Sequence, residues 1–190
     1  MADKEIATLT AATTPTGAEL GKIVQGGNSR KTTLAVLGHQ FRGARARKTS
    51  DQTTVNTTAG TTISFDAAQF DTDSFWSAGA PTRLTIPASA GFKYVEVFAS
   101  IRINLANADT FRSLTLQHLN SGAVAQGNWG SSAEIGTTTH YLTVSSGPVV
   151  VADGDYFHMI HTEESDTSVT IVGSLNQTSL SLTVVGMEPV

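Results

Sequence analysis

FKYVEVFASIRINL, residues 92–105, is the stretch whose reading decides the fold. Val95, Val97, Ala99, Ile101, Ile103 and Leu105 are apolar. Glu96, Ser100, Arg102 and Asn104 between them are polar, with Phe98 the exception. Successive side chains of a strand point to opposite faces, so this alternation describes a strand with one dry and one wet face. Wound as a helix, the segment would gather Glu96, Ser100 and Asn104 in one stripe and scatter its apolar residues around the cylinder. A long strand with one dry face needs a second sheet to cover it, which predicts an all-β sandwich.

Working outward, strand signals repeat at sandwich-like spacing. Upstream, TTISF (61–65) and RLTI (83–86) read as strands, with a loop over 66–79 that carries Phe75 and Trp76. Downstream, SLTLQHLN (113–120) aligns Leu114, Leu116 and His118, and residues 140–144 align His140, Leu142 and Val144. Short strands are expected over 148–152, 156–161 and 168–172, and a last one over 179–187 aligns Leu180, Leu182 and Val184. Residues 121–137, rich in Gly and Ser around Trp129, read as a surface loop.

The first 41 residues differ from the rest. They are small, polar and punctuated by Gly and Pro, with too few apolar residues for a core of their own. A turn at Gly26-Gly27-Asn28 and a short helix over 32–37, capped at Thr32 or Thr33, are expected there. Residues 42–60 read as a basic, then Thr-rich connector, an edge strand or an extended linker. The expected domains are therefore a segment over 1–41, a connector over 42–60 and a sandwich over 61–190.

Charge follows the same division. Residues 1–50 hold 8 basic and 3 acidic side chains, against 4 basic and 13 acidic in 51–190. A basic tail suits an acidic protein surface, and an acidic domain avoids polyanions. The charged fraction is only 15 %, and 28 residues are Thr, a β-branched polar residue suited to the wet face of a strand. Without cysteine there is neither a disulfide nor a thiolate metal site. No stretch is long and apolar enough for a membrane span, and MADKEIATLT lacks the apolar core of a signal peptide.

Chemistry-bearing patterns are sparse. KIVQGGNSRKTT (22–33) puts Arg30 and Gln25 where a phosphate-binding loop needs glycine. His158 and His161, three apart on a strand, face opposite ways and make poor co-ligands. His118 and His140 share strand faces with apolar neighbours. Asp71/Asp73 and Asp153/Asp155 are spaced like hard-cation ligands but lack the further carboxylates of a calcium loop, and turn chemistry explains both. Glu163-Glu164 reads as a solvated tip. No hydrolase elbow or zinc-protease motif occurs, so no catalytic residue, metal or cofactor is assigned. The tract Arg42, Arg45, Arg47 and Lys48 lacks interleaved aromatics, which argues against nucleic acid. Trp129 and Tyr141 are the candidate ligand or partner contacts, with Trp129 folding back on its own domain as the equal alternative.

Residues 5–37 resemble the N-terminal segment of many tailed-bacteriophage virion proteins, the fibre, spike and head-decoration type. Leu9, Ala11, Ala12, Glu19, Leu20, Ile23, Val24, Gln25, Gly26, Gly27, Lys31, Thr32, Thr33 and Leu37 carry the likeness. It implies a virion surface protein docked on other virion proteins, capsid or tail. The anchoring residues would be Leu9, Leu20, Ile23, Val24, Gln25, Gly26, Gly27, Lys31 and Leu37, with the basic Arg42, Arg45 and Arg47 beside them. ISFDAAQFDTDSFW (63–76), RLTIPASAGFKYVEVFASIRI (83–103) and GDYFHMI (154–160) are similar in layout to C1q/TNF-like jelly rolls, through Ile86, Pro87, Gly91, Tyr94, Gly154 and Asp155. Phe92 and Lys93 stand between Gly91 and Tyr94, and Leu180-Ser181-Leu182 replaces the usual closing Phe-Ser-Gly, so receptor residues do not carry over. This second likeness implies a jelly-roll head and a homotrimer. Together they imply a non-enzymatic structural protein with a host-glycan-binding fibre as the alternative, ahead of a capsid cement protein or a polysaccharide-cleaving enzyme.

Overall fold

The computed structural model describes residues 20–25, 28–33, 41–54, 60–88, 91–104, 110–135, 139–163, 169–173 and 177–187. The chain divides into two units, Met1–Gln40 and Phe41–Val190. In the first, β1 (Leu20–Gln25) and β2 (Asn28–Thr33) pair antiparallel, with Gln25 opposite Asn28. Thr32 and Thr33 are thus strand residues, while the rest of the 32–37 segment, where the short helix is expected, lies outside the described residues.

The second unit is all-β. Its strands are β3 (Gly43–Arg47), β4 (Gln52–Thr54), β5 (Thr61–Thr62), β6 (Ala67–Asp71), β7 (Arg83–Thr85) and β8 (Phe92–Asn104). They continue with β9 (Thr110–Leu119), β10 (Ala125–Ile135), β11 (His140–Val150), β12 (Tyr156–Glu163), β13 (Val169–Ile171) and β14 (Ser179–Met187). Two antiparallel sheets result. One contains β4, β13, β8, β14, β3 and β6 in order, with β11 on the other flank of β8. The other contains β10, β9 and β12, with β5 and β7 both pairing β12.

β8 is the strand that the alternation of 92–105 predicts. Val95, Val97, Ala99, Ile101 and Ile103 are fully buried, and Tyr94, Glu96, Phe98 and Asn104 are exposed. It bonds β11 along one edge and β14 and β13 along the other. Its dry face meets Leu114 and Leu116 of β9 and Phe157 and Met159 of β12 across the sandwich. Near one end Phe75 stacks on Phe92 with ring centroids 5.4 Å apart.

Several segments depart from expectation. The stretch read as a connector supplies β3, which lies between β14 and β6 with Ala44 and Ala46 buried, neither linker nor edge. Its small side chains let the strand sit close: a Cβ at Gly43 would come 2.2 Å from the Leu182 carbonyl oxygen. The loop expected over 66–79 contains β6, and the strand expected over 61–65 is regular only at β5, although Ile63 and Phe65 are buried. The expected Gly/Ser loop holds β10, an 11-residue strand paired with β9. β11 runs on through Pro148 by way of an irregularity between Ser145 and Pro148. Glu163 is no solvated tip. It is 3 % exposed and bonds Arg112 Nη2 through Oε1 at 2.9 Å.

Candidate functional site

Each sheet ends at one side in a strand that pairs once among the described residues: β10 in the five-stranded sheet and β11 in the seven-stranded one. Where these strands approach, a cleft of about 460 Å³ opens, lined by His118, Gln126, Trp129, Val149, Val150, Val151, Ala152 and Asp155. A volume of that size suits a small ligand.

The cleft is built by an irregularity in β10. Ala125 pairs with Leu119 and Gly127 with His118, which leaves Gln126 as an extra residue. A bulge of this kind bends the strand and re-aims its side chains. Trp129 lies back over Gly127, where an added Cβ would come within 2.7 Å of the indole ring. Glycine is the residue that lets the indole lie against the strand.

The floor is polar and fixed. His118 Nε2 and Asp155 Oδ2 are 2.9 Å apart, and Asp155 Oδ2 also accepts from the Ala152 amide at 3.0 Å. His118 stacks on Phe157 with centroids 4.5 Å apart. Both side chains are more than nine-tenths buried. The turn before β12 places Asp155, and the alternation of β9 turns His118 inward beside Leu116.

The residues singled out from sequence are dispersed. Trp129 lines the cleft, whereas Tyr141 is exposed on β11 with Arg102 over its ring at 6.0 Å. His118 and His140 stand in different sheets. His158 bonds Gln117 on the outer side, and burial followed by the charge of Arg83 lowers its pKa. His161 is buried on the opposite face, where burial and the charge of Arg112 push its pKa down to about 4. Asp71 accepts the Phe75 and Trp76 amides, each at 2.9 Å. Asp73 pairs with Arg42, whose hydrogen bond lowers its pKa.

Of the anchoring residues, Leu20, Ile23, Val24 and Gln25 fall in β1 and Lys31 in β2, while Leu9, Gly26, Gly27 and Leu37 lie outside the described residues. The arginines belong to the sandwich. Arg42 packs over the Phe92 ring at 4.4 Å, Arg45 donates to Ser179 Oγ at 3.1 Å, and Arg47 ends β3. Lys48 is 2 % exposed and donates to the Ser64 carbonyl at 3.0 Å; burial lowers its pKa despite Asp66 nearby. Sequence reading missed Gln126, Gly127 and Asp155 as one site. The Gly-x-Trp spacing beside a strand was the available signal.

Among solved structures, the chain is similar to murine APRIL at pH 5.0, with a TM-score of 0.55 and 7 % identity over 77 % of this chain and all of that one. The fold is a TNF/C1q-like jelly roll. The pH 8.5 structure of murine APRIL gives 0.53 at 9 % identity over 77 % of this chain and 100 % of that one. The globular domain of zebrafish complement 1qA scores 0.47 at 9 % identity, over 78 % of this chain and 100 % of that one. No protein-family description and no curated protein matches the sequence.

Proposed function

We propose that the protein is a non-enzymatic structural component of the surface of a tailed-phage particle, a head fibre, decoration or short spike. Its N-terminal segment docks on capsid or tail proteins, and its jelly roll is displayed outward as a homotrimer. The observation that carries this reading is the division of the chain at Gln40/Phe41. The residues that resemble a virion attachment segment all precede that point, and the self-contained sandwich follows it. The outer face of the seven-stranded sheet supports self-association. Phe70, Tyr94, Phe98, Tyr141 and Val185 are between 38 % and 54 % exposed there, a concentration of large apolar side chains that a second copy would cover.

The test is a fluorescent reporter carrying residues 1–41, expressed in cells during infection. Label that bands with purified particles is the expected result. A reporter left wholly in the soluble fraction sinks the attachment role. Sugar release from host polysaccharide by the purified full chain would overturn the non-enzymatic part.

A further inference from the structure

We propose that the cleft between β10 and β11 is a saccharide-binding site that seats a neutral pyranose against Trp129. This goes beyond the virion reading and does not depend on it. The chemistry of the lining selects the ligand. Asp155 is only 6 % exposed, yet Oδ1 makes no hydrogen bond among the described residues, while Oδ2 is held twice. His118 Nδ1 likewise makes no hydrogen bond among the described residues, while Nε2 is paired with that carboxylate. Gln126 donates its amide to the Val124 carbonyl at 3.1 Å, which leaves its oxygen to accept. Two acceptor oxygens and an imidazole nitrogen thus border one cleft, the Asp155 oxygen and the imidazole on its floor. The walls, Val149, Val150 and the Trp129 indole, are apolar.

A ligand that satisfies this lining must bring several hydroxyl donors around a body with an apolar face. A pyranose does so: its ring C–H groups pack on an indole and its rim hydroxyls donate. The negative indole face favours those weakly positive C–H groups. The Asp155 carboxylate and the Gln126 oxygen disfavour an anion, so neutral sugars should bind and uronic or sialic acids should not. A single ring in an open cleft gives a Kd on the order of 1 mM. Copies displayed together would raise the apparent affinity by avidity.

Amide and indole NMR of the full chain tests this with methyl glycosides of glucose, galactose, N-acetylglucosamine and rhamnose at tens of millimolar, with glucuronic acid and tetramethylammonium alongside. The expected result is a saturable shift of the Trp129 indole N–H and the Gln126 amide with at least one neutral sugar. The Gln126 response should be lost in Trp129→Ala, and both responses should be weakened severalfold in Gly127→Ala, whose methyl displaces the ring. Four results overturn the proposal: no shift with any neutral sugar, shifts confined to residues away from the cleft, a response to glucuronic acid as strong as to the neutral sugars, or a response to tetramethylammonium alone. A cleft filled by a second copy would show as Trp129 protected from acrylamide quenching, and that also overturns it. Should both variants misfold, the wild-type titration still decides.

Discussion

Arg112 and Glu163 sit opposite each other on β9 and β12, and both side chains turn into the sandwich. Arg112 is fully buried, and its Nε and Nη1 have no partner among the described residues. Removing one member of a buried ion pair strands the other charge, so Glu163→Leu should cost about 3–5 kcal/mol in urea unfolding. Arg112→Leu with Glu163→Leu should recover most of that loss, and a double variant as unstable as the single would refute this account. His161, on the same inward face of β12, carries the pH dependence. Burial and Arg112 hold its pKa near 4 in the folded state, below the ordinary 6.5. Between those values the unfolded chain binds a proton that the folded chain does not. Stability therefore falls as pH drops from 6.5 towards 4 and levels off below, by up to about 3 kcal/mol from this group. Unfolding midpoints measured across that window should fall with pH in the wild type and fall less steeply in His161→Gln, where only the lowered pKa of His158 remains. An unchanged slope in the variant would remove His161 as the cause.

At the scale of the element, legibility followed the alternation that burial imposes. β8, β9, β12 and β14 each send every second side chain into the core, and each is visible in the sequence as a period of two. β10 is not, because its side chains are mostly exposed or half-buried from Ala125 to Ser132. Its strand state comes from pairing with β9, a partner that local propensity cannot see. β3 was obscured for the opposite reason: the core allows it only Ala44 and Ala46, and alternate arginines made it read as a solvated tract. The cleft shared this fate. Trp129 stood out, but the bulge that aims it and the floor beneath it depend on residues from two other strands, β9 and β12, and the turn before β12. Glu163 was misread because its partner is 51 residues away. The same contrast predicts mutational cost along β8. Ile101→Ala should destabilise by about 2–5 kcal/mol through the cavity it leaves. Glu96→Ala, exposed on the other face, should fall within about 0.5 kcal/mol in the same measurement.

For the whole molecule, the sheet that β8 centres has a face the monomer does not use. Tyr94 and Phe98 are 39 % and 43 % exposed on β8, and β11 sets Ser145 opposite Phe98 and Arg102 beside Tyr141. Phe70 extends the face on β6, next to Arg45 of β3. An interface with an aromatic centre and arginines beside it has the composition expected of self-association. A charge there should act on assembly and spare the fold, since Phe98 contributes nothing to the dry side of β8. Phe98→Glu should thus convert the proposed trimer, measured by light scattering on a sizing column, into a monomer with an unchanged unfolding midpoint at low concentration. A carboxylate buried at that position in an interface would be desolvated without a partner, which makes the loss of assembly large. A wild-type protein that runs as a monomer at all concentrations would remove the trimer. It would leave a single sandwich, held in place and brought near its copies only through residues 1–41.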